Sequence, residues 1–368
     1  MKPAIGKVLK WLNWTLLLPV LFVILLLAVL LYTPAGLKLS VWLGQKYVPQ
    51  LSVASHSGSL LGGMQLNNIR WQNETVKLQF EQAKLDINNR CLFQLKLCIS
   101  ALSVNDGNII VAGNTVSFSR FSTSAEVWGR QVQLNNSQLQ QLQISLATGD
   151  EQPAEPFKYQ APELSDITLP LTVYVNGFQL TNASLIQAEQ VTALPDLNFS
   201  LQAREHTVRL LDLQANHPQV SLSTTANITL QGDYPLSARL SAVLKQAPLA
   251  EQQLNINLSG SLADLAVSAR AVGTISGSAE AELVLLAADL PLSLNLQYDA
   301  FSWPPANPDA WQVRQGEMTA SGDLQQLNFT LATGLSHSTI PDTELSAKGH
   351  YQLNDSVLTL DNIALATL

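Results

Sequence analysis

The sequence predicts an all-β fold, an elongated and curved antiparallel groove of repeating strands, preceded by one N-terminal transmembrane helix. Three observations carry that prediction. A long apolar run stands near the N-terminus, the residues after it alternate with a period of two between turn signals, and charge is scarce. Of the 368 residues 46% are hydrophobic and only 13% charged, against roughly 25% charged in an average soluble domain. Gln, Asn, Ser and Thr fill the difference. That balance excludes a disordered chain, which needs low hydrophobicity and high charge. A net charge of −8, with 20 Lys and Arg against 28 Asp and Glu, argues against a nucleic-acid partner.

The first element is the run Leu16 to Leu31, which holds no polar side chain. Trp14, Thr15 and Tyr32 extend it to the length a helix needs to cross a bilayer core. Trp14 and Tyr32 stand at its two ends as interfacial aromatics, Phe22 lies in its middle, and Pro19 is tolerable inside a membrane helix. A cleaved signal peptide is the rival, but its apolar region is shorter and Thr33-Pro34-Ala35 is a poor cleavage site. Lys2, Lys7, Lys10 and the α-amino group precede the run, which puts residues 1–11 in the cytoplasm, a signal anchor over 12–33, and the bulk beyond the inner membrane.

A short juxtamembrane helix follows over 34–50, and helical periodicity then nearly vanishes. Segments such as Val76-Lys-Leu78-Gln-Phe80, Leu171-Thr-Val173-Tyr-Val175, Leu254-Asn-Ile256-Asn-Leu258 and Leu292-Ser-Leu294-Asn-Leu296 read as strands with one apolar face. Asn105-Asp106-Gly107, Gly62-Gly63, Asn176-Gly177, Gly232-Asp233 and Ser321-Gly322-Asp323 punctuate them. A first β segment spans 51–146, a Pro-rich loop 147–168, and a second β segment 169–368 that stops inside a strand-like run and reads as truncated. The second segment repeats itself. Asp233-Tyr-Pro235-Leu236 matches Asp289-Leu-Pro291-Leu292 at an offset of 56, and Ser259-Gly260-Ser-Leu262 matches Ser321-Gly322-Asp-Leu324 at an offset of 62.

Strands with one apolar face and no amphipathic helices to cover them have three solutions: a sandwich, a barrel, or an open trough whose apolar floor meets something else. The repeat and the membrane tether favour the trough. Its floor is expected from Leu171, Val173, Val175, Leu254, Ile256, Leu258, Leu292, Leu294 and Leu296, with the strand phase undetermined by one residue.

Chemistry-bearing groups are sparse. Cys91 and Cys98 are the only cysteines and lie beyond the span, where an oxidising compartment favours a local disulfide. Zinc would need more ligands. His56, His206, His217, His337 and His350 have no neighbour at metal-ligand spacing, and no catalytic elbow, phosphate loop or HExxH occurs, so no enzyme and no cofactor is expected. A carbohydrate-active β-helix, the enzyme alternative, would want more aromatic platforms than 7% supplies. The Asn-x-Ser/Thr triplets, such as those at Asn73, Asn227 and Asn257, follow from a polar strand face, and Trp303-Pro304-Pro305 reads as a strand-ending loop.

The anchor, Ser57 to Trp71, the Cys91–Cys98 segment, Leu169 to Leu185 and Gly232 to Leu240 together resemble the TamB family of the AsmA-like superfamily, over the whole chain. The resemblance implies a β-groove, or β-taco, with an apolar interior, anchored in the bacterial inner membrane and reaching into the periplasm. It implies phospholipids as cargo moving toward the outer membrane, and a TamA-like outer-membrane barrel as partner through a C-terminal region not present here. A scaffold that templates outer-membrane proteins by β-augmentation is the competing role.

Overall fold

The computed structural model describes residues 22–23, 25–147, 159–187, 190–305, 307, 311–352 and 357–367. Two helices open it, α1 (Leu25–Tyr32) and α2 (Pro34–Tyr47), bent by 78° relative to each other. Thr33 adopts an extended backbone between them and Pro34 occupies the first position of α2, where a missing N–H costs nothing. The Thr33 hydroxyl donates back to the Val29 carbonyl at 2.6 Å. Gly36 permits the close approach at the bend, since a Cβ there would lie 1.6 Å from the Leu30 carbonyl oxygen.

Among the described residues the regular structure after α2 is strand, apart from one 3-10 turn. The strands are β1 (Leu51–Gly58), β2 (Met64–Gln72), β3 (Val76–Asn88), β4 (Leu97–Val111), β5 (Asn114–Trp128), β6 (Gln131–Gln140), β7 (Gln143–Ser145), β8 (Thr172–Thr181), β9 (Ser184–Gln187), β10 (Gln190–Ala193), β11 (Asp196–Arg204) and β12 (Thr207–Asn216). They continue as β13 (Val220–Thr229), β14 (Leu236–Leu244), β15 (Gln253–Ser261), β16 (Asp264–Val272), β17 (Gly277–Leu283), β18 (Leu292–Tyr298), β19 (Phe301–Trp303), β20 (Trp311–Val313), β21 (Gly316–Gly322), β22 (Leu327–His337), β23 (Ile340–Gln352) and β24 (Val357–Thr367).

The chain divides into two units, residues 1–148 with 179–194, and residues 149–178 with 195–368. The boundary therefore falls inside β8, and the segment holding β9 and β10 clusters with the first unit. In that unit β1 to β6 pair antiparallel in chain order. β7 pairs antiparallel with β5 and parallel with β9. Cys91 of the 3-10 turn Asn89–Gln94, which follows β3, is joined by a disulfide to Cys98 at the start of β4. Reducing it by the paired substitution Cys91→Ser and Cys98→Ser is expected to lower local stability by about 2–3 kcal/mol, the loop-closure entropy of so short a loop. Faster amide exchange at residues 89–96, with strand amides unchanged, is the readout.

In the second unit β11 to β18 pair antiparallel in order, and β21 to β24 continue the ladder, with β21 taking its place directly beside β18. The described part of the Pro-rich loop is laid along this unit: Tyr234 Oη donates to the Ser165 carbonyl (2.7 Å) and the Gly232 amide to the Asp166 carboxylate (3.0 Å).

The sequence repeat occupies equivalent places in the ladder. Leu236 stands opposite Gly260 where β14 meets β15, and Leu292 stands opposite Gly322 where β18 meets β21. The same backbone bonds recur at the same places. The Leu262 amide donates to the Asp233 carbonyl and the Leu324 amide to the Asp289 carbonyl, both at 2.9 Å. The second copy is longer because the hairpin β19–β20, with Phe301 opposite Val313, is inserted after β18.

Candidate functional site: an apolar strand face

Strand alternation puts successive side chains on opposite faces, and an antiparallel register aligns like with like across strands. In the second unit this produces an unbroken apolar row over twelve strands. It runs Leu201, Leu210, Ala226, Ala238, Leu258, Val267, Ala281, Leu294, Ala320, Phe329, Gly349 and Leu360. A parallel row two residues along reads Leu240, Ile256, Ala269, Ala279, Leu296, Met318, Leu331, Ala347 and Ile363. At about 4.8 Å per strand, the first row extends for roughly 50 Å.

The opposite face of the same strands carries a polar row. Arg239, Asn257, Ser268, Glu280, Asn295, Thr319, Thr330, Lys348 and Asn362 form one row. Thr319 and Thr330 share a hydrogen bond of 2.7 Å across it, and Asn257 donates to Ser268 Oγ at 3.5 Å. The Asn-x-Ser/Thr triplets at Asn227 and Asn257 thus belong to a hydrogen-bonded polar face, while Asn73 caps a turn by accepting from the Thr75 and Val76 amides.

The first unit shows the same division. Leu51, Trp71, Leu78, Ile109, Val116 and Ile144 form one apolar row. On the other face Ser52, Arg70, Gln79, Asn108, Ser117 and Gln143 form a polar row, while four residues along the strands from the apolar row Asn67 donates to Ser55 (2.9 Å), Gln82 to Asn67 (3.4 Å) and Asn105 to Gln82 (3.2 Å), an amide ladder over four strands.

What makes these rows a candidate site is that they are not sealed. Among the described residues only ten apolar side chains are buried, and the floor residues are mostly half-exposed. A closed sandwich would bury most of them. The register places Leu254, Ile256, Leu258, Leu292, Leu294 and Leu296 on one face. Val173 and Val175 share a face of β8, where Val175 is buried, and Leu171 lies just before that strand, exposed. Their place relative to the rows above is not what alternation alone assigns.

The inserted hairpin adds a feature to the floor side. Ile275, Phe301, Trp303, Trp311, Val313 and Leu335 line an apolar recess of about 570 Å³. Leu335 follows Phe329, Leu331 and Thr333 along one face of β22, so the recess lies at a rim of the apolar face. Trp303 is the last residue of β19, with the expected strand-ending loop beginning at Pro304. Alternation stands on both sides of the turn, Phe301-Ser-Trp303 and Trp311-Gln-Val313, but over only three residues each. A larger depression of about 1240 Å³ is lined in part by Arg270, Ser278, Gln297, Glu317 and Ser346 of the polar face. No histidine or cysteine is among its lining residues.

The remaining expected residues have plain surroundings. His206 contacts the Ile167 carbonyl (2.9 Å), His350 lies 3.4 Å from Asp361, and His337 stacks on Trp311 at 4.8 Å. Among the described residues no group of three or more His, Cys, Asp or Glu could hold a metal. Phe22 and Tyr32 are 62% and 51% exposed; Trp14 and Pro19 lie outside the described residues. Among those residues no single helix is long and apolar enough to cross a membrane, while the bent pair α1 and α2 together has the length and composition.

With this geometry in hand, comparison with known proteins is informative. The family described as TamB, N-terminal domain, matches residues 23–112 and 101–368. The translocation and assembly module subunit TamB of Haemophilus influenzae is 21% identical over 407 residues, covering 89% of this chain. The chain spans 31% of the length of that relative. No solved structure matches.

Proposed function

The chain belongs to the TamB family, and from that premise we propose that it is an inner-membrane-anchored, periplasmic conduit that carries phospholipids along an apolar β-groove toward the outer membrane. The observation that supports this reading is the unbroken, unsealed apolar row from Leu201 to Leu360. Moving a diacyl lipid through water exposes its chains at about 0.8 kcal/mol per CH₂, a barrier on the order of 20 kcal/mol. A floor that offers an apolar neighbour at every 4.8 Å step removes most of that barrier without any residue doing chemistry. The headgroup remains in solvent, which is why no charged clamp is needed along the way. The anchor of this reading is the apolar segment 12–33, whose C-terminal part is α1, and no catalytic residue, metal or cofactor takes part.

The relative's name favours a second reading, in which the sheet is a scaffold for assembling outer-membrane proteins, working with a TamA-like barrel through strand edges. The two readings use different atoms: side chains of the floor in one, backbone groups of an edge in the other. A photoreactive phenylalanine analogue at Leu296 and, in the same strand, at Asn295 separates them. The conduit requires phospholipid adducts at Leu296 and none at Asn295. Protein adducts in place of lipid at Leu296 would sink it and leave the scaffold.

A further inference from the structure

α2 carries two faces with different fates. Gly36, Leu37, Val41, Gly44 and Gln45 turn toward the sheet, with Leu37 only 1% exposed. Gln45 donates to the Val53 carbonyl at 3.2 Å, which ties the helix to β1. The other face holds Lys38, Leu39, Trp42, Leu43, Lys46 and Tyr47, at the spacing of a single helical stripe. No described residue of the first unit covers it: Trp42 is 53% and Tyr47 76% exposed, and Leu39 and Leu43 are exposed as well. Lys46 Nζ sits 5.0 Å over the Trp42 ring. The helix contains no acidic residue. Leucines between Trp and Tyr, flanked only by lysines, suit the boundary between headgroups and acyl chains of an anionic bilayer better than they suit water.

Geometry adds a second argument. α1, the C-terminal part of the apolar segment, and α2 are bent by 78° at Thr33. A span near the bilayer normal therefore delivers α2 close to the bilayer plane. We propose that α2 lies flat on the surface of the anionic phospholipid bilayer, with Leu39, Trp42, Leu43 and Tyr47 sunk at headgroup level and Lys38 and Lys46 on lipid phosphates. This rests on the reading that the preceding segment is a membrane anchor. Because β1 folds back along α2, the first strand of the groove is then held at the height where a lipid leaves the membrane.

The test uses the full chain in liposomes of phosphatidylethanolamine and phosphatidylglycerol. Single spin labels are placed through Leu26→Cys in the span, Leu39→Cys and Leu43→Cys on the stripe, and Ser268→Cys on the polar sheet face. Collision with oxygen reports lipid and collision with a water-soluble nickel chelate reports water. Labels at residues 39 and 43 should be shallow but shielded from nickel, the label at 26 deep, and the label at 268 fully nickel-accessible. Nickel access at 39 and 43 equal to that at 268 overturns the proposal, and with residue 26 still deep the anchor stands. Nickel access at 26 overturns the anchor, and shielding at 39 and 43 then still supports a surface helix. In the Lys38→Glu, Lys46→Glu variant the label at 43 should move toward water. No movement would overturn the assignment of those lysines to lipid phosphates.

Discussion

Leu258→Asp is expected to stop phospholipid from passing the middle of the groove while leaving lipid on the strands before the lesion. Leu258 sits in the long apolar row between Ala238 and Val267. An ionised carboxylate there must either keep its water, interrupting the acyl path, or lose it. The cost of Asp at an apolar centre is roughly 3 kcal/mol, which corresponds to on the order of a hundredfold in passage. Because the floor is open rather than sealed, the carboxylate can stay hydrated in the empty groove, so the sheet should fold. Photo-cross-linking reads the result. Lipid adducts at Leu201, before the lesion in chain order, should persist, while adducts at Ile363, beyond it, should vanish. Asn257→Asp is the matched control. One residue away, it points to the polar face between Arg239 and Ser268 and should change neither signal. Equal loss in both variants would mean that unfolding, not the floor, was being measured.

That contrast between neighbours also shows what the sequence could and could not tell. Alternation identified Leu254, Ile256 and Leu258 as one face, because a period of two is written into the chain itself. Which residues of other strands stand beside them is a matter of register, which depends on turns and bulges. The irregularities at Ser200/Leu201 and Lys348/Gly349 are examples that composition does not announce. Small residues in the rows were harder still. Ala281, Ala320 and Gly349 look like turn or filler residues in sequence, yet each holds a place in the row beside Leu or Phe. The Trp303–Trp311 recess was missed for a related reason: two three-residue strands around a Pro-rich turn are too short for periodicity to register. The disulfide, by contrast, needed only a count of cysteines and the side of the membrane.

The repeat makes a paired expectation with a large effect on stability. Gly260 and Gly322 have φ of +114° and +146°, in the range that side chains rarely adopt. A Cβ at either would lie 2.1 Å from a backbone carbonyl oxygen, that of Asp264 in the first copy and Gln326 in the second. Both are backbone atoms of the returning strand, so no rotamer change relieves the overlap and the hairpin end must open. Gly260→Val and Gly322→Val should each cost about 3 kcal/mol or more, combining the strained backbone with the clash. The two losses should be alike, since both glycines stand opposite a leucine, Leu236 or Leu292, in equivalent hairpins. Gly177→Ala is the comparison: its φ is +72° but nothing lies within 4 Å of the added carbon, so only the backbone term of about 1 kcal/mol applies. In a ladder of repeats stability is local, and amide exchange at Leu265 and Leu327 is the appropriate measure rather than a single melting temperature. Protection unchanged at Leu327 in Gly322→Val would refute the equivalence of the two copies. Because both glycines sit within the apolar face, opening either hairpin should also interrupt lipid adducts beyond it, which ties the repeat to the conduit rather than to stability alone.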